Sequence, residues 1–282
     1  MTRALRAVWD EFIYGGQLQA LGSVGIAWTV AKVFQAPFPW GLPVATYAVS
    51  YAVYAYNRLL EVSADAETNP ARTAYVTAHR RALWAAFFAA SALAAVVALV
   101  TATLYGAVFL SVLYAFGLLY TNIFKRLTRF IPGFKSWYVA FSFAVLVFLP
   151  FAYTGGAAPF PDVAEFGGWV FWNAAVMQIF LDVKDAESDA RAGLRTIPLL
   201  LGFESTFKAL RALTILSAIP PLLWAIRDPS FPREIAALAV APLPSLLAFR
   251  IAEKGAYQGY LIESGKFISW PALLTVGRVM SA

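Results

Sequence analysis

An all-α bundle of about nine membrane-spanning helices is the fold this sequence predicts, and three observations carry that expectation. The chain is 60% hydrophobic and only 13% charged, against roughly 25% charged in soluble domains. Its mean hydropathy is +0.65. Its apolar residues fall in long repeated runs, most of them near the ~20 residues a spanning helix needs. One domain covering residues 1–282 is expected, in the cell (inner or plasma) membrane.

The runs lie at residues 12–34, 42–60, 82–101, 104–120, 137–153, 168–181, 207–226, 235–251 and 267–280. The third and fourth form one stretch too long for a single span, and the break is placed at 101–105. The sixth meets charge early, as a helix lining a cavity would, and 182–198 reads as a loop. Pro271 and Gly277 interrupt the ninth. The first eleven residues are polar and amphipathic, without the features of a secretory signal.

Charge sets the expected orientation. The linkers after the second, fourth, sixth and eighth runs hold Arg72, Arg80, Arg81, Lys125, Arg126, Arg129, Lys135, Lys184, Arg191, Arg195, Lys254 and Lys266. Those after the first, third and fifth hold no Lys or Arg, and Arg227 and Arg233 are balanced by Asp228 and Glu234. By the positive-inside rule the even linkers are cytoplasmic. This accounts for the net charge of +6 without a nucleic-acid partner. With no cysteine, disulfides and thiolate sites are ruled out, and His79, the single histidine, cannot form a histidine metal cluster.

Acid is concentrated at two helix ends. Seven of the sixteen Asp and Glu residues lie in or beside 57–65 and 182–189, and carboxylates near a bilayer are costly unless compensated. Asn57, Glu61 and Asp65 are spaced i, i+4, i+8; Asp182, Asp185 and Asp189 are spaced i, i+3, i+7. Each set shares one face of a continuous helix. Two facing oxygen clusters suit Mg²⁺, which bridges to phosphates. The candidate metal ligands are therefore Asn57, Glu61, Asp65, Asp182, Asp185 and Asp189. Arg72, Lys125 and Lys184 are candidate phosphate partners. The expected ligand is a lipid diphosphate, its head in the charged pocket and its tail between helices. Both clusters end a helix that precedes a basic loop, which suggests a four-helix pseudo-repeat with a polar site on the cytoplasmic side.

On these motifs the chain resembles the UbiA superfamily of intramembrane prenyltransferases. The family's first motif is N-D-x-x-D-x-x-x-D, here Asn57, Arg58, Glu61 and Asp65. Its second is D-x-x-x-D, here Asp185 and Asp189, continuing through Ala190-Arg191-Ala192-Gly193-Leu194-Arg195-Thr196-Ile197-Pro198 much like the family's D-x-x-x-G-x-x-T-[LI]-P run. The sequence departs at Arg58 and Glu61, each standing where the family has Asp. Glu61 can still ligate Mg²⁺. Arg58 cannot; it joins the diphosphate-binding set or faces away.

The resemblance implies a Mg²⁺-dependent transfer of an isoprenyl group from a polyprenyl diphosphate to a hydrophobic acceptor, aromatic or lipid. Asn57, Glu61, Asp65, Asp185 and Asp189 would be the catalytic set. Among the aromatics able to stabilise a carbocation, Tyr51 and Tyr54 lie one or two turns from Asn57, ahead of Tyr47, Tyr56, Phe141, Phe143, Trp169 and Trp172. Two alternatives remain: a terpene cyclase on the same scaffold, and a cation-coupled transporter, whose carboxylates are expected nearer mid-membrane.

Overall fold

The computed structural model describes residues 3–281, apart from the side chains at 3, 4, 6, 7, 64, 65 and 281. The regular secondary structure among the described residues is all helical, in chain order: α1 (Arg3–Tyr14), α2 (Gln17–Val33), α3 (Gly41–Leu60), α4 (Val62–Asp65), α5 (Pro70–Ala78), α6 (Arg80–Thr101), α7 (Leu104–Asn122), α8 (Phe134–Val145), α9 (Leu149–Thr154), α10 (Phe160–Arg191), α11 (Ile197–Leu201), α12 (Phe203–Leu216), α13 (Ile219–Arg227), α14 (Pro242–Glu253), α15 (Gln258–Ser264) and α16 (Trp270–Ser281). Short 3-10 turns at Phe124–Arg129, Leu146–Phe148, Arg233–Val240 and Lys266–Ser269 join some of them.

Six segments among the described residues are long and apolar enough to cross a membrane: Arg80–Thr101, Leu104–Asn122, Phe134–Thr154, Phe160–Arg191, Phe203–Arg227 and Arg233–Glu253. The three other expected runs are helical as α2, α3 and α16 but do not reach that length and hydropathy together. Outward-facing apolar side chains on α6 and α7, including Phe88, Leu99, Leu104 and Val108, are exposed. A contiguous apolar face of this kind suits lipid rather than water. The protein is a multi-pass membrane protein.

Local chemistry sets the breaks. The long run splits at 102–103, where Thr103 caps α7 by accepting from the Gly106 amide at 3.1 Å. Pro150 falls in the first turn of α9, after the 3-10 segment that interrupts the fifth run. The core is aromatic and dense: Trp169 stacks on Trp270 at 4.5 Å and Trp224 on Phe231 at 4.7 Å.

Two expectations about the acidic segments are corrected. Residues 182–191 are not a loop. They continue α10, whose 32 residues make a rod of about 48 Å, longer than the ~30 Å hydrocarbon core. The helix persists because its carboxylates find cations. Conversely, Asn57, Glu61 and Asp65 do not share one continuous helix. α3 stops at Leu60; Glu61 takes a bridge conformation (φ −96°, ψ 6°) and its amide closes the last turn on the Asn57 carbonyl at 3.0 Å. Asp65 ends the separate single turn α4, and its side chain lies outside the described residues.

Candidate active site

One cavity of about 510 Å³ opens between α2, α3, α7, α8, α10 and α15. Its walls include Asn57, Arg58, Glu61, Arg72, Lys125, Asp182, Lys184, Asp185 and Asp189. Every site residue expected from the sequence whose side chain is described therefore reaches one space.

The second motif is held by backbone pairing between loops. Gly193 ends α10 at φ 68°, a left-handed conformation that suits glycine. The Leu194 amide then returns to the Asp189 carbonyl at 2.9 Å. The next residue pairs across to the segment after α7: Arg195 N–H donates to Thr128 O at 3.0 Å, and Gly133 N–H donates to Arg195 O at 2.8 Å. Thr128, fully buried, accepts the Lys135 amide at 3.0 Å. This clasp delivers Lys135 to the carboxylates.

Lys135, read from the sequence as a topology charge, is buried in the site. Its Nζ lies 2.5 Å from Asp189 Oδ2 and 3.1 Å from Asp182 Oδ1. Ser136 Oγ donates to the other Asp182 oxygen at 2.5 Å. Asp185 accepts from Lys184 at 2.9 Å and from Asn69 Nδ2 at 2.9 Å. Asn69 also went unrecognised, since its local sequence marks only the start of α5.

On the first motif, Asn57 Oδ1 accepts from Thr121 at 3.0 Å and Glu61 accepts from Lys125 at 2.5 Å. Arg58 is buried and donates to the Tyr14 carbonyl, so it grips the end of α1 while still lining the cavity. Glu11 on α1 accepts from Tyr51 at 2.8 Å and also from Tyr75. Burial and the bond to Glu11 hold the Tyr75 phenol well above its ordinary range.

Among the expected aromatics, Tyr54 and Phe143 line the cavity. Tyr51 instead stacks on Tyr47 and bonds Glu11, and Trp169 belongs to the core. Tyr120, Tyr138, Tyr257 and Tyr260 line the cavity unforeseen. Burial pushes the Tyr260 phenol up to about 12 and raises Tyr257, so both stay neutral at ordinary pH.

No group of three Asp, Glu, His or Cys side chains set to hold a metal occurs among the described residues. The donor set nonetheless fits Mg²⁺: the oxygens are hard, and this ion is commonly held by one or two carboxylates plus substrate phosphates.

The sequence matches the model of the UbiA prenyltransferase family over residues 20–258. The chain belongs to the UbiA prenyltransferase family. As a member it is an intramembrane prenyltransferase. Solved UbiA structures share its fold. An apo UbiA homologue from Aeropyrum pernix K1 superposes with a TM-score of 0.67 at 20% identity, covering 93% of this chain and 97% of that one. A UbiA homologue from Archaeoglobus fulgidus bound to GPP and Mg²⁺ gives 0.64 at 16% identity, covering 94% and 99%. A digeranylgeranylglyceryl phosphate synthase gives 0.56 at 14% identity, covering 99% and 98%. A search of curated proteins matched none.

Proposed function

We propose that this UbiA-family chain transfers an isoprenyl group from a polyprenyl diphosphate to a hydrophobic acceptor, with Mg²⁺ as cofactor and with its active site facing the cytoplasm. The observation that carries the reading is the two-ended cavity. One end holds both acidic motifs with Arg72, Lys125, Lys135 and Lys184; the other is walled by Val49, Val53, Leu110, Leu113, Phe143 and Leu146. A diphosphate head and an isoprenoid tail require those two environments at once. The bound GPP and Mg²⁺ of the Archaeoglobus fulgidus homologue support the same assignment. The charge asymmetry of the linkers supports the orientation.

Glu61, Asp65 and Asp185, with Asn57 as a neutral donor and with Asp182 and Asp189, which also face Lys135, would hold the metal. When bound, Mg²⁺ neutralises diphosphate charge and makes it a better leaving group. Lys125, Arg72 and Lys184 bind phosphate oxygens and stabilise the charge that grows on them as the C1–O bond breaks. Arg58 contributes by closing α1 over the cavity through Tyr14. The electron pair leaves with the diphosphate. Tyr54, Tyr120 and Tyr138 supply π systems for the positive charge left at C1. The acceptor nucleophile bonds C1 and releases its proton, and the apolar walls exclude competing water.

The test is incubation of purified protein in nanodiscs with Mg²⁺, diphosphates of several chain lengths and a membrane lipid extract. New prenylated masses with stoichiometric diphosphate release, both lost in EDTA, are expected. Full activity in EDTA overturns the reading, and product formed from diphosphate alone points instead to a cyclase.

A further inference from the structure

Below the charged end, the cavity wall carries a second kind of chemistry. Gln178 is four residues before Asp182 and lies one turn deeper on the same face of α10. Ser50 is seven residues before Asn57, two turns deeper on the same face of α3. Gln19 approaches from the first turns of α2. All three line the cavity and are half-buried.

These polar groups are not consumed by the fold. Gln19 Oε1 is buried with no hydrogen-bond partner. Gln178 and Ser50 make no side-chain hydrogen bond among the described residues. By contrast, Ser23, Ser142 and Ser264, also on the wall, return their hydroxyl protons to carbonyls of their own helices. A free amide inside an apolar bundle is costly. Neither the diphosphate nor an isoprenoid tail needs neutral hydrogen-bonding groups at this depth.

Charge defines what they can take. Of the cations on the wall, Arg58, Arg72, Lys125, Lys135 and Arg191 are at helix ends or in connections, and Lys184 lies between Asp182 and Asp185 on α10. The residues of α10 that line the cavity before Asp182, and those of α3 that line it before Asn57, are uncharged. A carboxylate acceptor placed there would be desolvated beside Asp182, with the nearby Lys135 already engaged by Asp182 and Asp189. Hydroxyl and carbonyl groups match amide and hydroxyl partners.

The geometry points to Gln19, Ser50 and Gln178 as the acceptor subsite, one that receives the uncharged hydroxyl or carbonyl head of a hydrophobic acceptor and rejects carboxylates. This inference rests on the prenyl-transfer reading above. It adds the class of acceptor and the residues that select it.

The test is two-substrate kinetics in nanodiscs with geranyl, farnesyl and geranylgeranyl diphosphates as donors. The acceptor probes are 2-naphthol, a dialkylglycerol and 6-hydroxy-2-naphthoate, the last differing from the first by a carboxylate. Wild type should use at least one neutral probe with a lower KM than the acid. Gln178→Leu should raise that acceptor KM about tenfold, the loss expected for one buried hydrogen bond. The donor KM should move less than twofold. Ser50→Ala, a smaller change that preserves packing, should shift the acceptor KM in the same direction. Preference for the acid, transfer to none of the probes, or unchanged acceptor KM in both variants overturns the subsite. If wild type releases no diphosphate from any donor, the prenyl-transfer reading falls and this inference with it. Release that persists while the acceptor KM is unmoved overturns the subsite alone.

Discussion

Asn69 Nδ2 donates to Asp185 Oδ1 at 2.9 Å, joining two residues 116 positions apart. One belongs to the loop after the first acidic motif, the other to the centre of the second. The bond ties the halves of the site together and orients a carboxylate that also faces Lys184. The remaining Asn69 oxygen is buried without a partner, so the side chain is held by this contact and a weaker one to Thr68 at 3.1 Å.

Asn69→Ala should therefore weaken the apparent Mg²⁺ affinity by about tenfold or more, as loss of a partner that orients a ligand does. Thermal stability should change little, because only one hydrogen bond across the site is lost. Activity titrated against Mg²⁺ checks this. Asp185→Ala should lose most turnover at any Mg²⁺ concentration, and normal turnover in that variant removes Asp185 from the ligand set.

Glu61 tests the divergent first motif. It stands where the family has Asp, at the bend that ends α3, 2.5 Å from Lys125. Glu61→Asp should retain substantial activity, since a carboxylate remains. Glu61→Gln should lose about tenfold or more, because a neutral amide oxygen ligates less well and no longer attracts Lys125. Equal rates for Gln and wild type would identify Glu61 as an ordinary helix-end charge.

Much of this site was legible from residue spacing, because Asp182, Asp185 and Asp189 keep one face of an unbroken helix. The same arithmetic failed for Asp65. Spacing of i, i+8 has meaning only while a helix continues, and the bend at Glu61 depends on how α3 meets α4 and α5. Lys135 was illegible for another reason. Its burial follows from pairing between Thr128, Gly133 and Arg195, and no local pattern announces contacts between loops so far apart in sequence. Asn69 was hidden in the same way: its neighbours describe a helix start, while its partner lies in the other half of the chain.

Lys135 can be tested through stability. Removing the cation from between Asp182 and Asp189 leaves two buried carboxylates uncompensated, a loss of about 3–5 kcal/mol in comparable buried networks. Lys135→Met should lower the thermal midpoint in detergent markedly. Adding Asp182→Asn and Asp189→Asn should recover most of it, since the remaining groups are neutral, without restoring turnover. A Lys135→Met midpoint equal to wild type contradicts the buried triad.

Orientation can be read directly, because the chain has no cysteine. Single cysteines at Thr68 and Ala192 lie beside the two motifs, and both linkers belong to the Lys- and Arg-rich set. Both should react with impermeant thiol reagents only from the cytoplasmic side of oriented vesicles. Reaction of either from the opposite side reverses the orientation.

Lys125 separates the two ends of the cavity. It follows α7, contacts Glu61 and lines the charged end, well removed in chain position and chemistry from Gln178 and Ser50. A positive side chain there should bind phosphate oxygens and stabilise the departing charge. Lys125→Ala should raise the donor KM about tenfold, equivalent to ~1.4 kcal/mol, and lower kcat as well, because the interaction strengthens as the bond breaks. The acceptor KM should stay within twofold. Part of the loss reflects Glu61 set free, so Lys125→Arg provides the control: it keeps the charge for both Glu61 and phosphate and should recover most of the donor affinity. If Lys125→Ala moves only the acceptor KM, the lysine serves the other substrate. If it moves neither constant, Lys125 is a topology charge, and the phosphate role passes to Arg72 and Lys184.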